Sequence, residues 1–121
     1  MSPTDAMPSF TRSGEFYGVS LITGPRSAFV RIRFCNNHSG PPTVNVLGVD
    51  ERHGNPADDD VASNVTDAVR TANDKFGTSL VPAEIAYQCD NDGLCHLVRR
   101  CAYIIVQRIA EVGDDDFVGV A

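Results

Sequence analysis

The sequence predicts an α+β protein built as a two-layer α/β sandwich, with its elements in the order βββαβα. Three observations indicate this fold class. Residues 27–34 alternate between apolar and basic side chains, as in a strand with one buried face. Residues 61–76 carry apolar side chains at helical spacing, and residues 98–112 are apolar around most of a helical surface. Two helices can therefore cover the apolar face of one sheet.

Four segments have the pattern of strands. EFYGVSLIT (residues 15–23) ends at a Gly-Pro turn signal and is followed by SAFVRIRF (residues 27–34). TVNVLGV (residues 43–49) and AEIAYQC (residues 83–89) also alternate in polarity. We expect a four-stranded sheet with both helices on one face. Its predicted core contains Val30, Ile32, Phe34, Val65, Val69, Ile85, Tyr87, Ile105 and Ile109.

Length and composition predict one domain. The chain has 121 residues, of which 42% are hydrophobic and 21% are charged, as is typical of a globular core of ordinary size. We assign residues 14–113 to the domain, residues 1–13 to a flexible arm and residues 114–121 to an acidic tail. Because the sequence has no long apolar run and starts unlike a secretory signal, we expect a cytoplasmic, non-membrane protein with reduced cysteines.

The net charge of −6 argues against a general nucleic-acid binder, because nonspecific affinity comes mainly from basic side chains that neutralise phosphates. The charge is unevenly distributed, however. Many acids lie in two runs, residues 58–60 and 114–116. Arg31 and Arg33 alternate with the apolar residues of their strand, so they form a predicted basic outer face. A local contact with an anion is therefore compatible with the composition.

The segment CDNDGLCHLVRRC (residues 89–101) has three alternative interpretations. Cys89, Cys95, His96 and Cys101 have the chemistry of zinc ligands, but no two cysteines are separated by two residues as in a zinc knuckle. Cys101 also falls on the apolar helix, where a thiol packs as a small hydrophobic group. A Cys95 nucleophile with a His96 base is a weak catalytic alternative. We therefore expect no metal, no cofactor and no enzymatic activity.

The third interpretation is a contact loop. Arg99 and Arg100 lie at the predicted start of the second helix, where the helix dipole disfavours cations by up to about 1 kcal/mol. A bound phosphate would offset that cost. Alternatively, the side chains of Arg99 and Arg100 are simply solvated and bind no ligand.

The chain resembles a known family from Val61 onward. The segments that carry the likeness are VASNVTDAVRTANDKF, Gly77, Pro82 with AEIAYQC, the D-G-x-x-H turn from Asp92 to His96, and CAYIIVQRIA; upstream, GPRSAFVRIRF is similar as well. They are similar to domain IV of translation elongation factor G and of the tetracycline ribosomal-protection proteins. The resemblance covers about residues 15–112.

This resemblance implies a fold like domain 2 of ribosomal protein S5. Its crossover between parallel strands is left-handed, whereas such connections are almost always right-handed. It also implies that two loops form a tip that contacts ribosome or structured RNA. The resemblance, together with the arginines near the D-G-x-x-H turn, predicts a set of contact residues at this tip. They are Arg26, Ser27, Asp92, Gly93, His96, Arg99 and Arg100, with Arg31 and Arg33 as a further basic face.

The chain also departs from the family. It contains no GTPase domain, and Leu97, Val98, Arg99 and Arg100 replace the acidic and serine-rich stretch that follows the family's histidine. Two hypotheses therefore remain open. One is a non-catalytic module that binds ribosome or structured RNA through its tip. The other is a repurposed fold that binds a protein or a small ligand without nucleic acid.

We predict that the protein holds no structural zinc. Metal analysis of protein purified without chelator should show well under one equivalent, because the ligand spacing does not match a zinc knuckle. Stoichiometric zinc that disappears when Cys89, Cys95 or His96 is substituted would contradict this expectation.

Overall fold

The computed structural model describes residues 8–23, 26–35, 40–46, 58–89, 96–113 and 115–120. Within these ranges the chain forms six strands and two helices, which confirms the coarse α+β class. The elements are β1 (Ser9–Ser13), β2 (Phe16–Thr23), β3 (Arg26–Phe34), β4 (Thr43–Val46), α1 (Asp58–Phe76), β5 (Pro82–Cys89), α2 (His96–Val112) and β6 (Gly119–Val120).

The strands form one mixed sheet in the order β4-β5-β3-β2-β1-β6. β4 is parallel to β5, whereas every other neighbouring pair is antiparallel. β3 is central and pairs along its length with both β2 and β5. The helix α1 connects the two parallel strands, as such a connection requires.

One sheet face is buried beneath both helices. Val30 and Ile32 of β3 are fully buried, and their register partners Val19, Tyr17, Tyr87 and Ile85 point to the same face. Val65 and Val69 of α1 and Ile105 of α2 complete this core. Seven of the nine predicted core residues are fully or almost fully buried, while Phe34 and Ile109 are half-buried at its edge.

The sheet has two more strands than the four predicted. Residues 9–13 form β1, an antiparallel partner of β2, rather than part of a flexible arm. At the other end of the sequence, β6 pairs with β1, so the tail is not simply an acidic extension. The sequence pattern did not indicate β1 because this strand carries a single large apolar residue, Phe10, and its position depends on pairing rather than on local pattern.

A cluster of aromatic rings holds the C-terminal segment on the sheet. Phe117 is fully buried, and its ring centroid lies 5.3 Å from that of Phe10 and 5.0 Å from that of Tyr17. From α2, Arg108 donates hydrogen bonds to the carbonyl oxygens of Phe117 and Asp116 at 3.0 and 3.1 Å. The guanidinium of Arg108 also lies over the Phe10 ring. We call this arrangement the C-terminal clasp.

The end of α1 is closed by Asn73 and Gly77. The carbonyl of Asn73 accepts hydrogen bonds from the backbone N–H groups of Gly77 and Thr78, and Gly77 has a left-handed φ of 72°. The Asn73 side chain donates to the carbonyl of Leu80 and accepts from the Thr78 hydroxyl and the Leu80 N–H. These bonds fix the turn that leads into β5. None of the helices in the described ranges is both long enough and apolar enough to cross a bilayer.

The C-terminal clasp should contribute measurably to stability. We expect Phe117→Ala to lower the free energy of unfolding by about 3–5 kcal/mol, because it removes a fully buried ring and leaves a cavity. The neighbouring substitution Val118→Ala is the matched control, since Val118 is 61% exposed and should change stability by less than about 0.5 kcal/mol. Urea denaturation of both variants makes the comparison. Equal losses would show that the clasp is not packed as described.

Candidate functional site

The strand register brings the two predicted contact loops to one end of the sheet. Ala28, near the start of β3, pairs with Cys89, the last residue of β5. The turn between β2 and β3 and the link between β5 and α2 therefore leave the sheet at the same end. We call this the tip end.

The predicted contact residues differ in how much the structure shows of them. Arg26 and Ser27 are the first residues of β3 and pair with Thr23 and Ile22 of β2. His96 is the first residue of α2. Asp92 and Gly93 lie outside the described residues. The backbone thus places Arg26, Ser27 and His96 at the tip end.

Arg99 and Arg100 lie in the first turns of α2, where no acidic side chain accompanies them. Nη1 of Arg99 lies 3.7 Å from Oδ2 of Asp67 on α1, and both side chains are nearly half exposed. Such an exposed pair contributes at most about 1 kcal/mol. Arg100 is exposed and, with Arg99, lines a groove of about 270 Å³ that also includes Ala68, Thr71 and Tyr103. Arg100 is therefore accessible to a ligand, while Arg99 already has an acidic neighbour.

The acidic run at residues 58–60 begins α1, and the backbone places the start of this helix at the tip end. β4 reaches the tip end at Val46, which pairs with Tyr87 near the end of β5. Because α1 returns the chain from β4 to the opposite end of β5, the helix begins at the tip end. The acidic run thus starts α1 at the same end as the arginines of α2. The backbone thus brings acidic as well as basic residues to the tip end.

The second candidate surface is the sheet face opposite the two described helices. Alternation places Phe29, Arg31 and Arg33 of β3 on this face, opposite Val30 and Ile32. Phe16 and Gly18 of β2 lie beside them, because Phe16 pairs with Arg33 and Gly18 pairs with Arg31. We call this surface the open sheet face. Its remaining described side chains are small or polar, namely Ser9, Thr11, Ser13, Ser20, Thr43, Asn45, Glu84, Ala86 and Gln88.

The two arginines of this face have different environments. Nε of Arg33 donates to Oε1 of Glu84 at 3.2 Å, and both side chains are about one-third exposed. The guanidinium carbon of Arg31 lies 5.2 Å from the centre of the Phe16 ring, within the range of a cation–π contact. Nε of Arg31 is buried and has no hydrogen-bond acceptor among the described residues. Arg31 is thus held against a ring, whereas Arg33 forms a cross-strand ion pair.

The cysteines give no sign of a metal centre in the described part of the chain. Cys101 is fully buried in the core, as expected for a small hydrophobic group, and Cys35 is a half-buried free thiol. No group of three or more His, Cys, Asp or Glu side chains converges within the described ranges. Cys95 lies outside those ranges, so the Cys95–His96 alternative has no described geometry.

Sequence reasoning overlooked the aromatic residues of the open sheet face. Phe29 has the same alternation phase as Arg31 and Arg33, and this signal was sufficient to place it with them. Phe16 carries a weaker signal, because its position depends on the register between β2 and β3.

Comparisons of the chain with protein-family models, with curated proteins and with solved structures give no match.

Proposed function

We propose that this protein is a non-catalytic module that binds ribosome or structured RNA through its tip end. One observation supports the proposal most directly, namely the pairing of Ala28 with Cys89. It brings the turn that precedes Arg26 and the link that precedes His96 to one place. Arg99 and Arg100 follow within the first turns of α2. Separate segments of the chain thus contribute basic residues to a single end of the sheet.

The acidic and basic residues of the tip end together favour binding to one specific partner over nonspecific binding to nucleic acid. Asp67 lies beside Arg99, and the acidic run at residues 58–60 begins α1 at the same end. Acidic groups there oppose nonspecific attraction to phosphates, which is long-ranged and scales with the number of cations. A partner would therefore need phosphates at positions that reach Arg26, Arg99 and Arg100 without approaching the acids. Structured RNA offers such fixed positions.

The proposal includes a finer description of the fold. The four strands β2 to β5, which are neighbours in the sheet, and the two helices have the order βββαβα, which is the order of the S5 domain 2-like arrangement with a left-handed crossover. In this proposal β1 and β6 are additions at one sheet edge, on the far side of β2 from the central strands. Such additions leave the tip end accessible.

The arginines of α2 provide the sharpest test of this function. We expect Arg99→Ala combined with Arg100→Ala to weaken binding to ribosomes and to reduce the salt dependence by roughly one to two phosphate contacts. The measurement is co-sedimentation with purified ribosomes, and binding to a structured ribosomal RNA fragment, across a salt series. Urea denaturation first verifies that the double variant is as stable as wild type.

The matched control is Arg70→Ala combined with Lys75→Ala. This pair changes the net charge by the same amount but lies on α1, with Lys75 in the last turn away from the tip end. The control should bind as wild type does. Equal losses of ribosome affinity in both double variants would show that the effect depends only on net charge. Absence of wild-type binding at low salt would reject the proposal and favour a protein or small-ligand partner.

A further inference from the structure

The aromatic residues of the open sheet face are not explained by the packing of the core. Phe16 and Phe29 are only half-buried, and neither belongs to the core cluster or packs against it. They lie instead on the opposite side of the sheet from both helices. Both rings are therefore partly accessible to another molecule on this side of the sheet.

The Phe29 ring lies close against the neighbouring strand. A Cβ atom placed on Gly18 would lie 3.3 Å from two atoms of this ring and 2.7 Å from Oγ1 of Thr11. Only a residue without a side chain lets the ring occupy this position without displacement. Gly18 therefore leaves space for the Phe29 ring to lie over β2.

The charge of this surface is opposite to that of the whole chain. Arg31 and Arg33 are its cations, and Glu84 is the only acid among the described residues of the face. The described face thus has a formal charge of +1, in a chain whose net charge is −6. Arg31 also lies over the Phe16 ring, so a cationic and an aromatic group lie side by side at the centre of the sheet.

We propose that the open sheet face binds unpaired nucleotides of RNA, with bases stacked on Phe29 and Phe16 and a phosphate beside Arg31. Aromatic side chains on an uncovered sheet provide the stacking platform that single strands require, and cations beside them provide attraction to the backbone. The inference rests on the proposed function only in naming RNA as the polymer. It concerns a surface distinct from the tip end.

The charges make a second copy of the chain a poorer occupant. A symmetric dimer places the same patch on both partners, so two sets of Arg31 and Arg33 would approach each other. A polyanion with flat apolar groups complements both features of the face instead. A dimer that depends on Phe29 would contradict the inference.

The chain contains no tryptophan, which allows a direct optical test. Phe29→Trp introduces a single tryptophan at the proposed stacking position, and Phe76→Trp introduces one at the end of α1, on the helical side and away from the tip end, as the control. We expect a short single-stranded RNA of mixed sequence to quench the tryptophan fluorescence of the Phe29→Trp variant and to leave that of the Phe76→Trp variant unchanged. Single-stranded DNA of the same sequence should act similarly, because stacking does not read the 2′-hydroxyl, whereas a blunt RNA duplex should not compete.

Two further substitutions separate stacking from mere apolar contact. Phe29→Leu should weaken binding of the labelled oligonucleotide, measured by fluorescence anisotropy, by at least about fivefold. Phe29→Tyr retains the ring and should bind within about twofold of wild type. Circular dichroism and urea denaturation verify that both variants fold. Unchanged affinity of Phe29→Leu, or unchanged fluorescence of Phe29→Trp at millimolar oligonucleotide, would overturn the inference.

The same assay distinguishes this inference from the proposed function. When Arg99→Ala and Arg100→Ala are added to the Phe29→Trp variant, quenching by the short oligonucleotide should persist, because those arginines lie in α2. Ribosome binding that requires Arg99 and Arg100, without any quenching of the Phe29→Trp variant, would leave the tip proposal standing and reject the sheet platform. Quenching of the Phe29→Trp variant without ribosome binding would leave the sheet platform standing and reject the tip proposal.

Discussion

The side-chain alternation of β3 determines both faces of the molecule. Because β3 pairs with β2 on one side and with β5 on the other, its register fixes which residues of three strands point toward the helices. Val30 and Ile32 are fully buried, so a slip of one residue would expose them and drive Arg31 and Arg33 into the core. The free-energy cost of burying two unpaired guanidinium groups makes that alternative inaccessible. The open sheet face is thus a direct consequence of the core.

The central part of the fold was predictable because its signals are local. Alternation in residues 27–34 and 83–89 and the helical spacing after residue 60 do not depend on distant partners. β1 and β6 lack such signals. β1 contains one large apolar residue, Phe10, and β6 has only two residues; both form because Phe117 packs between Phe10 and Tyr17. Packing between the two ends of the sequence cannot be inferred from a short window.

The candidate surfaces show the same division between local and distant information. Alternation alone assigns Arg31 and Arg33 to the face opposite Val30 and Ile32. The contact between Arg99 and Asp67 depends on how α1 packs beside α2, and the position of the acids at residues 58–60 depends on the direction of α1. The role of Gly18 beneath Phe29 depends on the β2–β3 register. Composition gives the net charge, whereas the fold decides which cations remain accessible.

The C-terminal clasp has a consequence for the order of folding. β6 pairs with β1, so Ser9 meets Val120, and this contact closes nearly the whole chain into a loop. Closing so long a loop is entropically unfavourable until the intervening elements have formed. The β2–β3 hairpin and the helices can organise earlier, leaving β1 with an unpaired edge until the C-terminal segment arrives. Because a two-residue strand offers little cooperative pairing, we expect β6 to open more readily than the central strands in native-state fluctuations. Transient opening would expose backbone groups of β1 that can pair with another chain, so protection of this edge depends on the anchoring of Phe117 and Arg108.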